Sequence, residues 1–209
     1  MIKYRIIDNF LDEDDFKNLS SIDIGNVSKN EIKISHNKIF SNGNIEIGCL
    51  KKDDVKKLFD NYHDKTLKML EDLNPAKMPL WEYSEFHITL TGSDYVYPIH
   101  RDSPYKLLSG VIYLAPEQNK GTILYDNKRG ENTNEIEWKQ NRGLFFSRSE
   151  NNSYHSYEGD KKSKRLTLIY NLMTTKLKEV CDIEKINYQK IKIIEYLNPY
   201  LYRFFKIVL

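Results

Sequence analysis

The spacing of apolar residues changes several times along this chain, and each change marks a different kind of element. Residues 2–7, Ile-Lys-Tyr-Arg-Ile-Ile, alternate toward a short strand. After Asn9-Phe10-Leu11, Asp12 is placed to cap a short helix whose first turn (Glu13, Asp14, Asp15) is acidic, as the helix dipole favours. Residues 30–50 read as short strands about the turn Ser41-Asn42-Gly43-Asn44. From Asp53, the positions Val55, Leu58, Phe59, Tyr62, Met69, Leu70 and Leu73 keep helical spacing. That helix should stop before Pro75, which disfavours helical geometry at Asn74. From Trp81 to about Leu172 the texture becomes short β-rich runs, at 82–91, 107–114, 122–126, 135–138, 143–147 and 165–172, punctuated by turn residues. Helical spacing returns with Leu177, Val180 and Ile183, then Ile191, Ile194 and Leu197, and beyond Pro199 with Leu201, Phe204 and Phe205, the last two read as core or dimer contacts.

Many short strands within so short a stretch predict an antiparallel sandwich or barrel. The class is mainly β with flanking helices. The 209 residues suffice for a real core, and a single domain over 1–209 is expected. Within it, 1–80 should supply N-terminal strands and supporting helices, 81–172 the β core, and 173–209 a C-terminal helical extension.

Composition mainly narrows the partners. Acids and bases interleave to a formal charge of +2, which leaves no electrostatic footprint for nucleic acid. The pairs Lys51-Lys52, Lys56-Lys57 and Lys161-Lys162 read as solvated faces. Cys49 and Cys181 lie far apart with no metal-like spacing and read as free, buried thiols of a reducing compartment. No signal peptide and no membrane-length apolar run is visible, so a soluble cytoplasmic protein is expected.

The chemistry-bearing residues are His100, Asp102, His155 and Arg165. His100 and Asp102 are two apart at the edge of a strand, where period-two geometry places both on one face. Two imidazoles and one carboxylate are the donor set of a facial iron(II) site with open positions. On the pair alone, a rim histidine bonded to Asp102 explains the residues equally well. Arg165 opens the alternating run Arg165-Leu166-Thr167-Leu168-Ile169, with Arg165, Thr167 and Ile169 on one face. An arginine pointing into a barrel needs an anionic partner, and that strand holds no acid. A ligand carboxylate gripped bidentately, with the Thr167 hydroxyl as a second donor, would satisfy it, as would an acid from another strand.

Several fragments, in order, resemble the 2-oxoglutarate- and iron(II)-dependent oxygenases, in particular the prolyl-4-hydroxylase-like branch. They are Glu85–Leu90 through Tyr97-Pro98-Ile99-His100-Arg101-Asp102; Leu108–Leu114 with its Ile-Tyr-Leu ending; Gly121-Thr122-Ile123-Leu124-Tyr125; and Gly143-Leu144-Phe145-Phe146. His155 and Arg165 then fall at the spacing of that family, and Ile6–Leu11 resembles its usual N-terminal strand. The resemblance implies a double-stranded β-helix with Fe(II) on His100, Asp102 and His155. It also implies 2-oxoglutarate on Arg165, aided by Thr167 and Tyr113, with Tyr97 lining the same pocket. The activity implied is a dioxygenase that uses O2, with ascorbate as auxiliary reductant, to hydroxylate a C–H bond and release succinate and CO2. The prime substrate implied is a peptidyl proline first and a small metabolite second. A peptide groove would be lined by Trp81, Tyr83 or Tyr154. Lys120-Gly121 stands where two glycines are usual, and Pro98 sits one residue further from the histidine than is common. The competing reading is a non-catalytic jelly-roll binding module that keeps a metal site. His87, His36 and His63 read as structural or surface residues.

Overall fold

The computed structural model describes residues 3–150 and 152–205. The chain forms β1 (Tyr4–Ile7), α1 (Glu13–Ser20), β2 (Ile32–Phe40), β3 (Ile45–Glu46), α2 (Lys52–Leu73), β4 (Tyr83–Thr91), β5 (Val96–His100) and β6 (Lys106–Ala115). It continues through β7 (Ile123–Tyr125), β8 (Asn134–Glu135), β9 (Gly143–Phe146), β10 (Tyr154–Glu158), β11 (Arg165–Met173), α3 (Leu177–Glu184) and α4 (Tyr188–Phe205). A 3-10 turn over Pro75–Leu80 joins α2 to β4.

Two antiparallel sheets result. The larger runs β1-β9-β6-β11-β4-β2-β3 and the smaller β5-β10-β7-β8. β11 is central, paired along its length with β4 on one side and β6 on the other. Its side chains therefore alternate between two buried environments. Leu166, Leu168, Tyr170 and Leu172 join Phe86 and Ile88 of β4, Leu108 and Ile112 of β6, and Val55, Leu58, Tyr62, Met69, Leu70 and Leu73 of α2 in the main core. Arg165, Thr167 and Ile169 face the other way, into a pocket shared with His87, Thr89 and Thr91 of β4 and with Ser109 and Val111 of β6. The helix thus backs the large sheet, and the pocket lies on the opposite face. Each fully buried aliphatic side chain of α2, such as Val55 or Leu70, contributes about 1.5–3 kcal/mol.

The helix periods are where the apolar spacing placed them, and α2 does stop before Pro75, with Asn74 at φ −156°, ψ 76°. Four details differ from expectation. Asp12 sits at the N-terminus of α1 in extended geometry, but its side chain makes no capping hydrogen bond. Its amide instead donates to the Tyr62 hydroxyl at 2.9 Å, because Tyr62 fills the space over that helix end. The run 135–138 enters a ladder only at Glu135, since Ile136 and Trp138 turn inward and Trp138 stacks on Tyr113 at 4.5 Å. Cys49 is exposed while Cys181 is buried. His63 is buried, stacked between Phe59 and Trp81, because its position in α2 falls on the packed face. The side chains of Phe204 and Phe205 lie outside the described residues. Among the described residues, no helix is long and apolar enough to cross a membrane.

Two local features carry predictions. A Cβ at Gly121 would lie 1.6 Å from the Ile136 carbonyl oxygen. Gly121→Ala must therefore push apart the two segments that support Thr122, at a cost of about 1–3 kcal/mol, which chemical denaturation should detect. Asp15 fastens α1 to α2, accepting hydrogen bonds from Lys57 at 2.5 Å, Tyr62 at 2.8 Å and Asn61 at 3.1 Å. Burial opposes its ionisation, but the bonds from Lys57, Tyr62 and Asn61 outweigh that and hold the carboxyl below its ordinary value. A depressed carboxyl adds stability that is present above the unfolded-state value and lost as pH falls through the folded-state one. Asp15→Asn should cost about 1–2 kcal/mol in urea at neutral pH, and the gap to the native protein should close below about pH 4. A gap independent of pH would mean that the charge plays no part.

Candidate metal centre and anion pocket

β5 and β10 pair so that His100 lies opposite His155 in the ladder, which places the rings with centroids 4.2 Å apart. Asp102 follows β5 in an irregular segment and points to the same spot, one carboxylate oxygen 4.0 Å from His155 Nε2. One ligand atom from each of the three lies within 4.8 Å of the others. Residues distant in sequence thus converge because two neighbouring strands end at the same mouth of the barrel.

The ring orientations select which nitrogen is presented. His100 Nδ1 lies 2.9 Å from the Pro98 carbonyl oxygen, and His155 Nδ1 lies 3.1 Å from that of Ser153. A carbonyl only accepts, so each Nδ1 carries the proton and each Nε2 keeps its lone pair for a metal. Both imidazoles resist protonation. Burial, and then repulsion from His155, lowers His100 to about 4, and burial lowers His155. For Asp102, burial works against the charge, but Lys106, His155 and His100 together outweigh it and hold the carboxyl well below its usual range. Lys106 Nζ donates to one Asp102 oxygen at 2.7 Å, and Ser109 Oγ to the other at 2.5 Å. A deprotonated carboxylate with two neutral imidazoles is a donor set that suits a divalent first-row metal. The fit is therefore good, and the open side of the set faces the pocket.

Arg165 sits deeper in the same pocket, 5% exposed. No carboxylate pairs with it among the described residues. Its guanidinium lies over the Tyr157 ring at 3.9 Å, with the rings of Tyr113 at 5.2 Å and Trp138 at 5.5 Å also in range. One terminal nitrogen donates weakly to Thr122 Oγ1 at 3.3 Å, and Nε is buried with no partner. Burial lowers the arginine, with the hydroxyls of Tyr113 and Tyr157 acting the other way. Three aromatic faces offset part of what a guanidinium loses on leaving water, and an orphaned donor remains. Among the described residues, the internal ion pair that the sequence left open does not form, and the guanidinium keeps a free donor edge.

Of the other sequence candidates, Thr167 is buried on the pocket wall, one inward position along β11 from Arg165. Tyr113 is fully buried behind the arginine, its hydroxyl accepting the Thr122 amide at 2.9 Å. Tyr97 lies at the rim, 39% exposed, its ring edge-on to His100 at 4.3 Å. Trp81 and Tyr83 do not line the pocket: Trp81, which precedes β4, packs on Phe59 and His63 of α2, and Tyr83, at the start of β4, packs on Phe40 of β2. Tyr154 meets Arg101 instead. His87 is a pocket residue, bonded to Glu85 at 3.0 Å and near His36 at 3.2 Å. Sequence reasoning passed over Lys106, Ser109, Thr122, Tyr157 and Trp138. The inward parity of Ser109 with Val111 and Tyr113 was a usable signal for one of them. Nothing in the sequence marks Trp138.

No family model matches this chain, and no curated protein is similar to it in sequence. Solved structures do match. A prolyl-4-hydroxylase from Pseudomonas putida is 14% identical, with 83% of this chain and 94% of that one covered at a TM-score of 0.57. A 2OG-Fe(II) oxygenase family oxidoreductase from Burkholderia pseudomallei is 13% identical, with 81% and 84% covered at 0.55. A Trichoplax adhaerens prolyl hydroxylase, in complex with a hypoxia inducible factor oxygen degradation domain peptide fragment, is 17% identical, with 83% and 84% covered at 0.54. The fold is the double-stranded β-helix of the 2OG-Fe(II) oxygenases. Along the pocket, Asp102 meets Ser109, which pairs with Asn171 near the end of β11, whereas Arg165 opens the same strand opposite Thr91, so the candidate ligands and the arginine are set apart along it.

Proposed function

We propose that this protein is an Fe(II)- and 2-oxoglutarate-dependent dioxygenase that hydroxylates an unactivated C–H bond, with a peptidyl proline as the prime substrate. The observation that carries this reading is a single pocket lined both by the metal-ready set His100, Asp102 and His155 and by a buried arginine without an anion. A 2-oxo diacid joins the two features: its oxo-acid end is a chelating group, and its far carboxylate matches a guanidinium fork.

His100, Asp102 and His155 would hold the iron, which when bound supplies O2 activation and oxidation of the 2-oxo acid to succinate and CO2. The chain's own residues do the rest. Arg165 takes the distal carboxylate and exchanges its unpaired buried state for a charge-assisted pair, with Thr167 as a neighbouring hydroxyl donor. The Nδ1 contacts of His100 and His155 keep the rings from turning. Val111, Phe146 and Ile169 give the pocket an apolar wall that keeps water from the reacting carbon. Outside, Ile34 (42% exposed), Tyr97 (39%) and Val96 (59%) form an apolar rim beside the opening. Such a rim can receive an extended peptide, and the neighbouring Trichoplax structure holds a peptide fragment.

The test is aerobic incubation with Fe(II), ascorbate and 2-oxoglutarate, reading succinate by mass spectrometry, first without a prime substrate and then with proline-rich peptides. Succinate that needs both iron and 2-oxoglutarate, with a gain of one oxygen atom on the peptide, is the expected result. Oxygen gained only by free metabolites would remove the peptidyl proline but keep the oxygenase. Neither turnover nor 2-oxoglutarate binding would leave a binding module.

A further inference from the structure

His100 and His155 are held by strand ladders, but Asp102 lies beyond the end of β5 with no ladder to fix its main chain. Arg148, in the segment after β9, does this instead. Its Nε donates to the Asp102 carbonyl oxygen at 3.2 Å. The remaining edges of the same guanidinium meet two carboxylates, Glu150 at 2.7 Å and Glu184 in a close pair. Arg148 is only 2% exposed, so its direction depends on these anions.

Glu184 is the last residue of α3, and its carboxylate is 5% exposed. Its other oxygen accepts from Lys77 at 2.5 Å, a fully buried lysine of the 3-10 turn that also donates to the Arg148 carbonyl at 2.6 Å. Glu150 has a second partner too: Arg101, which sits between the two metal ligands of its own segment, pairs with it at 2.8 Å and stacks on Tyr154 at 5.2 Å. The segments that carry Asp102 and His155 are therefore joined twice, by the β5–β10 ladder and by this buried ionic cluster. One guanidinium spends three edges on α3, on the segment leading to His155, and on the main chain of a ligand.

We propose that Arg148 is a positioning residue for the metal centre: clamped by Glu184, it fixes the main chain of Asp102, so that helix α3, beyond the β core, sets the metal affinity of a site to which it contributes no ligand. This rests on the metal assignment made above. A generic structural ion cluster would act on stability alone, and with several buried charges its removal could well cost stability. What separates the two roles is the coordination itself, since groups that orient ligands are worth tenfold to a hundredfold in metal affinity.

Co(II) titrated into the full-length protein, followed by calorimetry and by the visible absorption of the bound ion, reads the site without any turnover. Arg148→Met should weaken binding by about tenfold or more and alter the Co(II) spectrum, and Arg148→Lys should recover part of the loss. Glu184→Gln should act in the same direction although it lies in α3. Glu150→Gln removes the partly exposed end of the cluster. It is the variant that decides should Arg148→Met fail to fold, and about a threefold weakening or more is expected of it. Melting of the metal-free proteins runs beside each titration. Affinities and spectra unchanged in Glu150→Gln and Glu184→Gln, with only melting affected, would overturn the proposal while leaving the metal centre intact. Failure of the unaltered protein to bind Co(II) would overturn both.

Discussion

Asp102→Ala should lose metal binding almost completely, and with it any succinate formed from 2-oxoglutarate. The reason is electrostatic as well as geometric. In the native pocket Asp102 is the anion that offsets both the incoming divalent ion and the Lys106 ammonium, 2.7 Å from its oxygen. Without it, two imidazoles remain beside a buried lysine whose protonated form Asp102 had favoured against its burial. A divalent cation would then meet two neutral nitrogen donors and no anion. The affinity should fall by more than the hundredfold that even indirect supports of a ligand can be worth. Titration with Co(II) or Mn(II) measures this directly. Asp102→Asn is the informative companion, because it keeps the Ser109 contact in shape but cannot neutralise Lys106. Either variant binding metal like the native protein would mean that the centre is built from other residues.

Arg165→Met should produce an effect of opposite sign in two measurements. The free protein carries a buried guanidinium with an orphaned Nε and no carboxylate, held by three aromatic rings. An apolar side chain of similar length keeps the ring contacts and removes a charge that burial disfavours. Thermal stability of the free protein should therefore hold or rise. Affinity for 2-oxoglutarate should fall by about 3 kcal/mol, roughly a hundredfold, since a bidentate charged pair is lost and the ligand's carboxylate is left unpaired. Metal affinity should not change, because the arginine is set apart from the ligands along the pocket. Normal 2-oxoglutarate binding by this variant would place the carboxylate site elsewhere.

Much of the architecture follows from local pattern. The period of two in Arg165–Met173 sorts leucines to the helix side and Arg165 and Thr167 to the pocket side, and the structure keeps that sorting for the whole strand. The helical period of α2 and its arrest before Pro75 are equally local, since each depends only on a few neighbouring backbone angles. His100 and Asp102 are close in sequence, so that their convergence needed no fold to be suspected.

The rest is long-range. That His155 faces His100 depends on the register of β10 against β5. That Arg165 has aromatic rings around it and no acid depends on Tyr157 arriving from β10 and Trp138 from the segment after β8. Trp81 shows the converse: it has the composition of a binding groove, yet packing assigns it to the helix side of the sheet, against Phe59 and His63. Asp12 has the composition of a cap, yet Tyr62 occupies its place. The sequence by itself determined which residues alternate and which end a helix, because those are contests between near neighbours over a few kcal/mol. Which buried charges find partners is settled at the level of the fold, because desolvation is set by atoms brought in from elsewhere in the chain, as when Arg148 reaches Asp102 across 46 positions, and this leaves Asp102 braced and Arg165 without an acid.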